Sequence, residues 1–168
     1  MLRIASFNHN QKPTYGIVVD GGVIDCGARL KEFPDMLAVL RGDAINQLRT
    51  LAQVAPDIAA EEVEWLPPIP NPQKIICVGI NYKAHIKEMG RDNPEYPWLF
   101  VRFPNSIVGH KADLVRPAAS DQFDYEGELA VIIGSGGRHI PAEQALASVA
   151  GYACFNDGSI RDFQSHSS

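Results

Sequence analysis

Four prolines within six residues, Pro67-Pro68-Ile69-Pro70-Asn71-Pro72, set the first limit on what this chain can fold into. Proline fixes φ and carries no backbone N–H, so the stretch is poor material for a helix interior or a central strand. It marks the expected boundary. Residues 1–66 are read as a small N-terminal α+β domain, 67–73 as a Pro-rich linker and 74–168 as a second folded region. A chain of 168 residues has room for one core with an appended domain but is short for two full ones.

Before the linker, strand-like runs at Leu2 to Phe7 and Tyr15 to Val19 are followed by Gly21-Gly22, which invites a hairpin return through Val23 and Ile24. Met36, Leu37, Leu40, Ile45, Leu48, Leu51 and Val54 then recur at helical spacing, with Gly42-Asp43 dividing two short helices. After the linker, Lys74 to Val78 reads as a buried strand, Asn81 to Met89 as a helix stopped by Gly90, and Trp98 to Phe103 as a strand. Phe123 to Gly134 is a long strand, with Gly134-Ser135-Gly136-Gly137 expected as a hairpin turn. A short helix over Pro141 to Leu146 and a strand over Val149 to Phe155 complete the pattern.

Charge and composition exclude several classes of function. The net charge is -5, and neither side of the linker carries a basic block to neutralise phosphates, so nucleic acid is not an expected partner. No apolar run approaches the ~20 residues needed to cross a bilayer, and the N-terminus lacks a signal-peptide layout, so no membrane partner is expected and the location expected is cytoplasmic. Cys26, Cys77 and Cys154 are odd in number and widely spaced, which suits reduced, mostly buried thiols rather than a disulfide framework or a structural zinc site.

Three groups of residues carry chemical content. In Asp124-Tyr125-Glu126-Gly127-Glu128-Leu129, strand alternation sends Asp124, Glu126 and Glu128 to one face. Cα atoms two residues apart are separated by roughly 6.6 Å, which a hard cation bridges through carboxylate oxygen; a polar, solvent-facing strand fits the same letters. Asn156-Asp157-Gly158-Ser159 offers a further acid and is equally composed as a turn ahead of a helix, on which Arg161 and Gln164 share a face and present donors. Within Asn81 to Met89, His85 and Glu88 stand three apart, either as a general base with its orienting carboxylate or as a surface contact. His9, His110, His139 and His166 have no acid at a telling distance.

Taken in order, Ile75-Ile76-Cys77-Val78-Gly79-Ile80-Asn81-Tyr82 with His85 and Glu88, then Phe123 to Leu129, then Gly151-Tyr152 and Asn156 to Gln164, resemble successive blocks of the fumarylacetoacetate hydrolase family. The resemblance runs from about Lys74 to Gln164 and implies a β-rich α+β fold, the family's mixed β-roll in incomplete form with a small N-terminal domain. It implies that Glu126, Glu128 and Asp157 bind magnesium, or manganese or calcium, and that His85 with Glu88 activates a water. Arg161, Gln164 and Tyr82 match substrate-holding positions, as does Arg102, where many relatives carry Lys. The implied reaction is hydrolysis of a small keto acid: the water attacks a carbonyl, and C–C cleavage releases an enolate. Hydratases, isomerases and decarboxylases use the same framework, and a non-catalytic fragment is the rival of another class. Family members continue past the equivalent of Gln164 through strands that close the sheet and supply a lysine. The chain is therefore expected to be a truncated member with exposed apolar surface, and a homodimer when full length.

Overall fold

The computed structural model describes residues 1–88, 90 and 92–166. Met89, the expected last residue of the helix before Gly90, lies outside them, as do the final two serines. The chain divides into two units, residues 1–69 together with 108–168, and residues 70–107.

The first unit begins with a hairpin of β1 (Ile4–His9) and β2 (Lys12–Val19), joined by Asn10-Gln11, both at positive φ as a two-residue hairpin turn requires. Gly21, at φ 84°, turns the chain into β3 (Gly22–Asp25). Two helices follow, α1 (Met36–Arg41) and α2 (Ile45–Leu51), divided at Gly42-Asp43 as the spacing predicts. The short strands β4 (Ile58–Ala59) and β5 (Glu64–Trp65) complete a five-stranded antiparallel sheet in the order β4-β3-β2-β1-β5. Alternation sends Tyr15 and Ile17 of β2 and Ile24 of β3 into one core with Met36, Val39, Ala44 and Leu48 of the helices. Phe7, Val23 and Ile58 pack in a second cluster with Trp65, whose ring meets Phe7 edge to face at 6.3 Å.

Later in the same unit the chain forms β8 (Phe123–Asp124), β9 (Gly127–Ile133), β10 (Val149–Asn156), β11 (Ser159–Ile160) and the one-turn helix α4 (Arg161–Gln164), once β6 (Ile75–Gly79), α3 (Lys83–Glu88) and β7 (Trp98–Arg102) of the second unit have intervened. The long strand expected over Phe123 to Gly134 is interrupted at Tyr125-Glu126. The register that pairs Gly127 with Asn156 also pairs Asp124 with Ser159, so β8–β11 and β9–β10 lie on one line of pairing, broken opposite Asp157-Gly158. Gly134 to Gly137 does not close a hairpin; it opens a longer connection through a 3-10 stretch, Ala142–Ser148, before β10.

In the second unit β6 and β7 pair antiparallel from Ile75 opposite Arg102 to Gly79 opposite Trp98. The buried strand expected there is not buried: Ile76, Val78 and Trp98 to Val101 are exposed, because a two-stranded ribbon has no further layer of its own to cover its faces. Gly90, at φ 62°, donates its N–H to the Lys87 carbonyl and ends α3. Of the thiols, none of which is in a disulfide, Cys26 is buried, Cys77 half-buried and Cys154 exposed, so burial holds for Cys26 alone. Burial pushes the Cys26 thiol up to about 11, which keeps it protonated and inert.

Candidate active site

The break between β8 and β9 is where the acidic residues gather. One step beyond the Gly127–Asn156 pair, the Asp157 N–H donates to the Glu126 carbonyl at 2.9 Å, which sets the two acids opposite each other across the ribbon. Asn156 Oδ1 accepts the Glu126 N–H at 3.1 Å and fixes the backbone at the interruption. Asp157 is 5% exposed and Glu126 and Glu128 are half-buried, whereas Tyr125, Leu129, Val131 and Ile133 on the alternate positions are exposed. The expected alternation holds for Glu126 and Glu128, while Asp124, expected on the same face, is exposed across the interruption. Its polarity is the reverse of a solvent-facing polar strand, since the carboxylates occupy the sheltered side.

Arg161 enters from α4. Its Nε and one terminal nitrogen donate to Asp124 Oδ2 at 3.0 and 2.9 Å, and the other terminal nitrogen pairs with Glu126 Oε1 and donates to Gln164 Oε1 at 3.1 Å. Partial burial disfavours the charge on Arg161, but the hydrogen bonds to Asp124 and Glu126 outweigh it and hold the guanidinium above its ordinary pKa. The Arg161 N–H donates to the Gln122 carbonyl, and the Ser120 hydroxyl donates to Asp162 Oδ1 at 2.7 Å, tying α4 to the loop before β8. That hydroxyl is the main reason the Asp162 carboxyl lies below its usual range. Turn chemistry at Asn156 to Ser159 is thus observed, but α4 has no side-chain cap: its N-cap position is Ile160.

Of the sequence candidates, Arg161 contacts both Gln164 and Glu126, and Asp157 is joined to Glu126 through the backbone. Among the described residues no three His, Cys, Asp or Glu side chains are gathered closely enough to hold an ion together. Glu126 is turned to Arg161 instead. The donor set itself, three carboxylates with no thiol or imidazole, suits a hard divalent cation. In the second unit, His85 Nδ1 and Glu88 Oε2 are 3.7 Å apart on one side of α3, both exposed. Tyr82 precedes that helix, its carbonyl accepting the Ile86 N–H, and Arg102 ends β7 opposite Ile75. Sequence reasoning passed over Asn156, Ser120 and Asp162 as positioning residues; only the adjacency of Asn156 to Asp157 pointed to one of them.

Residues 74–168 match the family profile described as Fumarylacetoacetate (FAA) hydrolase C-terminal. The chain belongs to the fumarylacetoacetate hydrolase family. It is 40% identical over 148 residues to human oxaloacetate tautomerase FAHD2A, mitochondrial, covering 86% of this chain and 47% of that protein. Among solved structures, fumarylacetoacetate hydrolase from Exiguobacterium antarcticum is 33% identical with a TM-score of 0.75, over 98% of this chain and 58% of that one. Maleylpyruvate hydrolase from Sphingobium sp. SYK-6, in complex with manganese(II) and pyruvate, is 26% identical with a TM-score of 0.76, over 96% and 60%. The chain spans about half the length of the curated relatives it matches. The fold is the family's strand-rich α+β framework, on which hydrolases, tautomerases and isomerases are built. No helix among the described residues is long and apolar enough to cross a membrane.

Proposed function

We propose that the complete enzyme binds magnesium or manganese through Glu126, Glu128 and Asp157 and hydrolyses a carbon–carbon bond in a small 2-oxo or 1,3-dicarbonyl acid. The observation that carries this reading is the reversed polarity of the ribbon, with carboxylates on the sheltered face and large apolar side chains exposed. Holding carboxylates partly out of water costs solvation, a cost that a function must justify. A manganese ion beside pyruvate in a relative of the same fold supports a divalent cation and a 2-oxo acid as its occupants.

Bound there, the ion would act as a Lewis acid on the substrate's carbonyl oxygens. Glu88 faces His85 Nδ1, which orients the ring and leaves Nε2 to accept a proton from water. The hydroxide equivalent attacks the carbonyl carbon, the C–C bond breaks, and the electron pair leaves on the enol side. General-base assistance of this kind is worth ~10² to 10⁴ in rate. Arg161, Gln164, Tyr82 and Arg102 supply donors for the substrate's carboxylate and carbonyl groups. In the same reading the full-length enzyme is a homodimer.

Keto–enol tautomerisation is the second reading, favoured by the 40% identity to the human oxaloacetate tautomerase. It needs only a proton carried between carbon and oxygen, so His85 would act without an attacking water. Calorimetry with Mg²⁺ and Mn²⁺ on the wild type and on Glu128→Gln tests the common core: saturable binding lost in the variant supports it, and absence of binding in both sinks it. Incubation with an acylpyruvate and with oxaloacetate then separates the chemistries. Pyruvate released from the former supports hydrolysis, while accelerated keto–enol exchange of the latter without cleavage supports the tautomerase.

A further inference from the structure

The guanidinium of Arg161 lies on the carboxylate that the proposed cation needs. It bridges Asp124 and Glu126 and is braced by Gln164, so a positive group already neutralises one of the three acids assigned to the ion. The fork sits on Glu126 Oε1 and sets a positive charge beside the carboxylate, where it repels a cation approaching the same group. Arg161 is 37% exposed and stands at the start of a helix of four residues, so its side chain can swing out without disturbing a packed element.

We propose that Arg161 is a built-in competitor for the divalent cation, holding Glu126 through its fork and yielding it when the ion binds. The inference rests on the three-carboxylate reading above and adds to it a residue that sets the ion's affinity. The guanidinium and a cation on one carboxylate repel each other, and each weakens the other by the same factor, because coupling between sites is reciprocal. Hydrogen bonds to charged groups are the strong ones, so removing the competitor should tighten ion binding about ten-fold or more. Charge alone predicts a different pattern. Loss of any one cation makes the protein more negative by one, whereas loss of the competitor acts only where the fork sits.

The test is Mn²⁺ and Mg²⁺ calorimetry on the chain with Arg161→Met, Arg161→Lys, Arg3→Met and Glu128→Gln. Arg3→Met removes the same charge from a site in β1's approach, where Arg3 pairs with exposed Asp20. Expected are a Kd about ten-fold lower for Arg161→Met, an intermediate value for Arg161→Lys, which keeps charge without the fork, and an unchanged value for Arg3→Met. Equal or weaker binding by Arg161→Met, or equal tightening by Arg3→Met, overturns the competitor role while leaving the carboxylate site in place. Binding that survives Glu128→Gln, or no binding by any variant, overturns the carboxylate reading and this inference with it. A second readout guards against a misfolded variant: in the wild type, Mg²⁺ should shift the Arg161 Nε–H resonance and speed its exchange, and an unmoved signal at saturating ion counts against the role.

Discussion

The N-terminal sheet and the β9–β10 ribbon are both antiparallel, and both alternate side chains between two faces, yet they expose opposite kinds of residue. In the sheet, Tyr15, Ile17 and Ile24 are buried against helices α1 and α2, and Phe7 is buried in a cluster with Val23, Ile58 and Trp65. In the ribbon, Leu129, Val131, Ile133 and Tyr152 are exposed, and the acids Glu126, Glu128 and Asp157 take the sheltered side. Of the thirteen buried apolar residues among those described, all but Ile86 precede the linker. Alternation therefore defines two faces but not which one is covered; that depends on what a further layer supplies. The first region is organised for stability, and the second holds charge where stability alone would not place it.

The comparison breaks most easily at a pair of leucines. Leu48 of α2 is fully buried in the helix-facing core, so Leu48→Ala should lower unfolding free energy by about 2 to 5 kcal/mol, read as a fall in the urea midpoint. Leu129 is 59% exposed, and Leu129→Ala should change the same midpoint by no more than ~0.5 kcal/mol. Equal losses at both positions would mean that the ribbon's apolar face is covered in solution, and the contrast would fail.

A smaller effect sharpens the same contrast between the helices. Asp35 caps α1, its Oδ1 accepting the Ala38 N–H at 2.7 Å, whereas α4 starts at Ile160 with no such bond. Asp35→Ala should cost about 1 kcal/mol of stability, seen as a lower thermal midpoint. The α4 turn depends instead on Ser120 holding Asp162, so Ser120→Ala should leave the thermal midpoint nearly unchanged while altering ion affinity through the position of Arg161.

Much of this was legible in the residues. The Gly21 turn, the Gly42-Asp43 break and the Gly90 stop follow from local backbone preferences, which act over a few positions and do not depend on distant packing. His85 with Glu88, and Arg161 with Gln164, meet as helical spacing requires. The interruption at Tyr125-Glu126 was not legible, because it depends on the Asn156 side chain and the Asp157 N–H across the ribbon, contacts of high sequence separation. Exposure of β6 was hidden for the same reason: an apolar run announces a wish for cover, not the presence of it. The pairing of Arg161 with Asp124 and Glu126 likewise joins residues more than thirty positions apart, and spacing on one helix could not reveal it.

The last test concerns acid. Asp57 receives both arms of the Arg29 guanidinium, at 2.6 and 2.7 Å, and the Asp25 N–H at 2.8 Å. The Arg29 hydrogen bonds, foremost, hold its carboxyl below the ordinary value of 3.8. A carboxyl whose folded-state pKa is depressed adds stability that is complete above the unfolded value and is lost as pH falls through the folded one. The pair is about one-third exposed, so the contribution is ~1 kcal/mol or less. Urea midpoints from pH 7 down to pH 3 should therefore fall less steeply for Asp57→Asn than for the wild type. Were Asp57→Asn to keep the wild-type slope, the acid-sensitive stability would not lie in the Arg29 pair, and the N-terminal sheet would lose its claim to it.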